Sequence, residues 1–260
     1  LLNTFSFSFP PSAKAQTLEP ITPAEPEVSF SVLANQYLFS EYPSVAEESI
    51  GLLNDENQDI GLWTSSNILF GTIQDITSAF TYYQDYINSI PFDNCEQLSS
   101  AMLEHIETTI QPGLYCLDSS YLVERKISLQ YETGTDPEFV FYVSNDLIIT
   151  DSTQFVTQNG FENLNITWLV DGSLMINDNA NIHGTFIVQN DIRIGKNVSL
   201  LGRLVSLESG IQAGSIQIRH NVENEISPIV EPETPPIEEL IEEPIEEPVE
   251  EPIEEPIEEP

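Results

Sequence analysis

The sequence predicts a mainly β fold wound as a solenoid, with one amphipathic helix laid along a sheet surface and an acidic tail outside the core. Three observations predict it. First, Ile176–Ile187 and Ile194–Val205 repeat each other eighteen residues apart. Apolar residues fall in the same slots: Ile176/Ile194, Ala180/Val198, Ile182/Leu200, Phe186/Leu204 and Ile187/Val205, and a glycine recurs as Gly184/Gly202. A repeat near twenty residues with period-2 apolar slots is one coil of a solenoid, because a single coil cannot bury its inner face alone. Second, the apolar period switches to three or four at Ile73, Ile76, Phe80, Tyr83, Ile87 and Ile90, one face of a helix. Third, residues 223–260 hold 16 Glu and no Lys or Arg and end in Ile-Glu-Glu-Pro repeats.

Taken in chain order, Leu1–Phe9 reads as the end of an apolar signal region, and Ala13-Lys-Ala15 before Gln16 has the small-x-small spacing of a cleavage site. Residues 10–27 are rich in Pro, Glu and Thr and read as a linker, so 1–27 is expected to be a signal remnant and linker. Val28–Leu33 alternates apolar and polar residues and reads as a strand. Residues 41–67 read as irregular. The helix is expected to run about five turns, with Thr72 and Asp75 as a capping box and Pro91 as its stop. From Ile110 the chain is strand and turn. Ile127–Leu129, Phe139–Val143, Leu147–Ile149, Ile166–Val170, Leu174–Ile176 and Ile216–Ile218 are short β runs, punctuated by Asn145-Asp146, Asn159-Gly160 and Asp171-Gly172. Leu147–Phe155 matches Leu174–Ile182 at an offset of twenty-seven, so corners accept insertions. The expected inward ladders are Ile149/Ile176/Ile194, Phe155/Ile182/Leu200 and Phe186/Leu204. The recurring glycines suggest close backbone packing at corners. Alternation points Trp168 inward and His183 outward, and Trp63 is expected in the core or a cap. Pro at every fourth residue and paired Glu make 223–260 an extended, disordered spacer, which leaves 28–222 as the folded domain.

The 260 residues carry a net charge of −36, from 43 acids against 7 bases. Without the tail the charge is still about −20. Such a field repels phosphate backbones and anionic membranes, so no nucleic-acid partner is expected. No run has the length of a membrane span. The two cysteines, Cys95 and Cys116, are either a disulfide or two buried thiols; an exported chain favours the disulfide, which closes a loop of about 20 residues. His105, His183 and His220 lack metal-ligand spacing, so no metal or other cofactor is expected. Asp55–Asp59 opens like a calcium loop, but Ile60 stands where glycine is needed and Ser66 where Glu is needed. No acid–base cluster stands out on successive rungs, and the chain is read as not an enzyme.

The order of these elements resembles the ice-binding (antifreeze) protein family. Ser29–Ala34 looks like that family's opening strand, and Thr109-Ile-Gln-Pro-Gly-Leu-Tyr115 like its Leu-Thr-Pro-Gly-Val-Tyr turn. Phe139–Val143 looks like its Val-Phe-Ile-Phe strand, Asn165–Trp168 like its Asn-Val-Phe-Trp strand, and Gly202-Arg-Leu204 like the Gly-Arg-Leu of its last full rung. The resemblance runs from about Ser29 to Ile218. It implies an irregular, discontinuous right-handed β-solenoid, roughly triangular in section, with the helix alongside.

The resemblance also implies a function and a site. Active members carry a rank motif of Thr, then Ala or Gly, then any residue, then Thr or Asn, at the turn into a rung's second strand. Those slots here are Asp151-Ser-Thr153-Gln154, Asp178-Asn179-Ala-Asn181 and Lys196-Asn197-Val-Ser199. The implied ice-binding face is therefore Asp151, Thr153, Gln154, Asp178, Asn179, Asn181, Lys196, Asn197 and Ser199. The first slot is charged where the family places Thr. A charged side chain holds its own oriented hydration shell, which disturbs a flat array that orders water. The expected protein is secreted or at the cell surface and monomeric. Its partner is the ice crystal surface, and the tail can serve in cell-surface attachment. The alternative is an adhesion or structural module using the same fold on a Pro/Glu stalk.

Overall fold

The structure is a computed structural model, and it describes residues 28–54, 60–71, 73–98, 109–117, 121–123, 126–132, 137–157 and 164–220. The expectations for residues 1–27, Asp55–Asp59, Thr72, His105, Asn159-Gly160 and the tail lie outside them.

The chain opens with β1 (Phe30–Ala34), β2 (Leu38–Ala46), β3 (Ser49–Leu52), β4 (Gly61–Thr64) and β5 (Ile68–Phe70). Helix α1 (Gln74–Ser89) and a short 3-10 turn (Phe92–Asn94) follow. Then come β6 (Glu96–Gln97), β7 (Thr109–Ile110), β8 (Gly113–Leu117), β9 (Tyr121–Val123), β10 (Lys126–Leu129), β11 (Glu138–Val143), β12 (Leu147–Ile149) and β13 (Gln154–Thr157). The last rungs are built from β14 (Asn165–Val170), β15 (Leu174–Ile176), β16 (Asn181–Val188), β17 (Ile192–Ile194), β18 (Val198–Ser206), β19 (Ile211–Ala213) and β20 (Ile216–Arg219).

Every pairing among these strands is parallel, and they sort into three faces of a β-solenoid. Face A stacks β6, β8, β11, β14, the second halves of β16 and β18, then β1, β3 and β5. Face B stacks β9, β12, β15, β17, β19 and the start of β2. Face C stacks β7, β10, β13, the first halves of β16 and β18, β20, the end of β2 and the end of β4. The offsets read from sequence are the registers: Ile176 pairs Ile194, and Leu147 pairs Leu174. The winding is discontinuous. The N-terminal strands extend the stack beyond the last rung, with Val32 on Leu204 and Leu38 on Ile211.

This order dictates the helix. After β5 the chain stands at one end of the stack and must return to the other, eight strand spacings or about 38 Å away on face A. The 16-residue helix covers about 24 Å of that distance. Ile76, Ala79 and Tyr83 pack on Leu33, Leu114, Val140, Leu169, Ile187 and Val205, the outer residues of face A. Strands buried on both sides read as unbroken apolar runs, and Trp168-Leu169-Val170 and Phe186-Ile187-Val188 are such runs. A disulfide between Cys95 and Cys116 fastens the segment after the helix to β8.

The inward ladders are as expected, all buried from Ile149 to Leu204. Trp168 is fully buried, and its ring lies 4.3 Å from that of Phe141 and 5.9 Å from that of Phe186. Gly202 has φ +146°, and a Cβ there would come within 2.0 Å of the Gly184 carbonyl oxygen, so the glycine corner is a true close approach of backbones.

Two expectations are corrected. Within 41–67 the described residues include most of β2 and all of β3 and β4, where an irregular stretch was expected. In β2 the inward slots include Ser40 and Ser44, whose hydroxyls lie 2.7 Å apart, while Ser44 Oγ accepts the Ile216 amide at 3.1 Å. Serines in core slots hide the period, and a register shift between Ser40 and Ser44 absorbs Pro43. The N-cap of the helix falls at Ile73, one residue later than expected, and makes no side-chain cap bond. Ile73 is the extended residue at the entry (ψ 153°), so Asp75 falls inside the first turn and acts there through its charge.

Candidate functional site

With face A under the helix, faces B and C are the ones turned to solvent. The corner between them is built by four aligned residues on four successive rungs: Asp151–Gln154, Asp178–Asn181, Lys196–Ser199 and Gly214–Gln217. Ser152, Asn179 and Asn197 all have φ near +60°. The second slot is thus a left-handed corner, which explains small residues or Asn there. Their backbone bonds run rung to rung, from Ser152 N to Asp178 O at 3.0 Å and from Asn179 N to Lys196 O at 2.8 Å.

That corner fixes the direction of the other slots. The third slot turns inward, and Thr153, Ala180, Val198 and Ile216 are all buried. Thr153 is therefore corrected as a surface residue. It is fully buried, and its hydroxyl donates to Val123 O at 3.3 Å. The fourth slot turns outward. Gln154 pairs Asn181, Asn181 pairs Ser199, and Ser199 pairs Gln217. The file then continues through Val45 to Thr64, and starts on the other side at Lys126. Seven rungs make a row about 29 Å long at about 4.8 Å per step. From Gln154 to Thr64 the six side chains are uncharged.

The charged first slot lies on the corner, beside the row. Asp178 Oδ1 accepts the Lys196 amide at 2.7 Å, so this carboxylate is turned along the stack to the next rung. Lys196 Nζ lies 3.3 Å from Tyr42 Oη and 4.6 Å from the Tyr42 ring centroid. Asn179 and Asn197 are exposed, with Asn197 Nδ2 3.4 Å from Asn179 Oδ1. Ser215 Oγ accepts the Asn197 amide at 2.8 Å.

Face B differs. Its outer row is Ile148, Met175, Arg193, Gln212 and Phe39. Arg193 pairs with Asp191 at 3.8 Å, and the row mixes a charge, a thioether and an aromatic ring. His183, expected outward, is only 8 % exposed, and burial pushes its imidazole down to about 4. It sits three residues into the longest aligned stretch, beside Leu201 of the next rung. Among the described residues no group of three or more His, Cys, Asp or Glu is placed to hold a metal ion. No helix among them is long and apolar enough to cross a membrane.

The structure thus brings Gln154, Asn181 and Ser199 into one row, sets Asp151, Asp178 and Lys196 on its edge, and removes Thr153. Reading the sequence missed Gln217, Val45 and Thr64. Gln217 had a signal, because Gly214-Ser-Ile-Gln217 continues the eighteen-residue repeat. Val45 and Thr64 had none, since they reach the row by long-range pairing.

Residues 40–219 match the family described as ice-binding-like. No curated protein matches the sequence. Among solved structures, the ice-binding protein of the Antarctic ascomycete Antarctomyces psychrotrophicus superposes with a TM-score of 0.60 at 19% identity, over 75% of this chain and 96% of that one. The Shewanella frigidimarina ice-binding protein domain gives 0.63 at 16%, over 78% and 100%. An ice-binding protein from an Antarctic bacterium of the Flavobacteriaceae gives 0.61 at 20%, over 82% of this chain and 52% of that one. At these identities the likeness is one of fold.

Proposed function

This chain belongs to the ice-binding-like family, and from that premise we propose that it is a secreted or cell-surface protein that adsorbs to ice through face C. It inhibits crystal growth or recrystallisation as a monomer and without catalysis. The observation that carries this reading is the uncharged row Gln154, Asn181, Ser199, Gln217, Val45 and Thr64. Short amide, hydroxyl and methyl groups at one regular spacing hold water weakly enough for it to order as a lattice. A charge within the row would hold its own shell instead, and here the charges stand at the corner and, as Lys126, at the end of the file.

In this reading residues 1–27 are a signal remnant and linker, 28–222 the ice-binding domain, and the acidic 223–260 a spacer that keeps it away from whatever it is attached to. The test is a recrystallisation assay on the purified chain at micromolar concentration. The wild type keeps ice grains small, and Asn181→Tyr, which raises a ring above the middle of the row, lets them coarsen. A folded wild type with no effect on grains sinks the reading and leaves the adhesion module.

A further inference from the structure

A lysine in the first slot is the feature least suited to an ice-contacting face, and the structure shows how its charge is handled. In the corner file Asp151, Asp178, Lys196, Gly214 and Tyr42, the Tyr42 amide donates to Gly214 O at 3.0 Å, so Tyr42 stands two rungs from Lys196. Two rungs are about 9.6 Å. The rung between them has no side chain in this slot, because it holds Gly214. A Cβ on Gly214 would lie 3.2 Å from Lys196 Cγ, so the lysine stem lies across that glycine. Its ammonium ends 3.3 Å from Tyr42 Oη and 4.6 Å from the ring centroid. The ring face and the hydroxyl oxygen both favour the cation. Contact with Tyr42 raises the Lys196 ammonium above its ordinary value, and Asp178 and Glu41 act in the same direction.

We propose that Tyr42 is a positioning residue that pins Lys196 flat along the corner between faces B and C, over the gap left by Gly214, and so keeps its charge off the ice-contacting row. This rests on face C being that row. An unpinned lysine of this length sweeps a radius larger than one rung spacing and carries its hydration shell over Ser199, three residues on. The pin is what makes a charged first slot compatible with ice contact. Three residues far apart in sequence serve this one purpose: the lysine, the glycine that makes room for it, and the aromatic ring that receives it.

The test has two independent readings, both on the full chain. The chain has only three lysines, Lys14, Lys126 and Lys196, so reductive methylation, which keeps the charge, yields few NMR methyl signals. The Lys196 methyl signal is expected upfield through the Tyr42 ring current, and Tyr42→Ala returns it to the ordinary position. Absence of that shift in the wild type overturns the pin whatever the ice activity. In the recrystallisation assay, Tyr42→Ala raises the concentration needed for half-maximal inhibition several-fold, Tyr42→Phe retains most activity, and Tyr42→Ala/Lys196→Ala recovers it. A Tyr42→Ala chain as active as wild type overturns the inference and leaves the face C reading standing. Loss without recovery in the double variant also overturns it, by making Tyr42 a contact or a structural residue. A wild type inactive towards ice fails the face C reading itself, and the NMR result then describes only a surface pair.

Discussion

Replacing Trp168 by Ala tests whether the stacked inner ladder holds the solenoid together. Trp168 pairs Phe141 on one side and Phe186 on the other, and its side chain is fully buried. A buried aromatic side chain of this size removes about 200 Å² from water, worth about 5 kcal/mol at 25 cal/mol per Å². That is an upper figure, since an unfolded chain already covers part of this surface. The rings of Phe141 and Phe186 lose their stacking partner as well, about 1 kcal/mol each. Partial collapse of the rungs into the cavity offsets some of the loss. The expected destabilisation is about 4 kcal/mol. For a domain near 200 residues this lowers the melting temperature by about 10 °C. Urea unfolding followed by circular dichroism measures the first number and calorimetry the second. Trp63, in the end strand β4, is also buried, yet its strand pairs β2 alone among the described residues. Because a solenoid gains stability rung by rung, Trp63→Ala should cost roughly half as much. A Trp168→Ala loss under about 1 kcal/mol would contradict the ladder.

Two further outcomes follow from the same structure. Reductant, or the pair Cys95→Ser/Cys116→Ser, should lower stability by about 3 kcal/mol, because the disulfide closes a loop of 21 residues in the unfolded chain; an unchanged melting curve with and without reductant would refute this. His183 has a folded value near 4 against an ordinary 6.5, so the fold favours its neutral form. Its contribution is complete above pH 6.5 and is lost as pH falls from there through 4, about 3 kcal/mol in all. Thermal melting of wild type and His183→Leu between pH 7 and 4 isolates this from the carboxylates, and equal pH slopes in the two would sink it.

Much of the fold was legible because its strongest signals are local. The offsets of eighteen and twenty-seven are also the strand registers, since a parallel ladder repeats equivalent slots at the length of one coil. The helix stripe was legible for the same reason, and Ile76 and Tyr83 sit where it put them. What escaped was long-range. Val45 and Leu38 pair residues more than 165 positions away, and their core neighbours are serines, so neither period nor propensity marks β2 as a rung. The site was half legible. The fourth-slot residues Gln154, Asn181 and Ser199 emerged from the motif, but the motif is silent on direction. Only the left-handed corner at Ser152, Asn179 and Asn197 shows that the third slot, with Thr153, must turn inward. The motif also gives the charge of the first slot without its direction. In space Asp178 is turned onto the backbone of the next rung and Lys196 onto the Tyr42 ring.

Ice-affinity partitioning of a fluorescently labelled chain measures directly which face meets ice. A single ice hemisphere is grown slowly from dilute protein, and the fraction taken into the ice is compared for wild type, Asn181→Tyr on face C and Gln212→Tyr on face B. Both positions are exposed and neither ends its row, so both variants should fold alike. The expected result is uptake of wild type and of Gln212→Tyr, with Asn181→Tyr left in the liquid. Uptake of Asn181→Tyr with exclusion of Gln212→Tyr would place contact on face B and contradict the central claim.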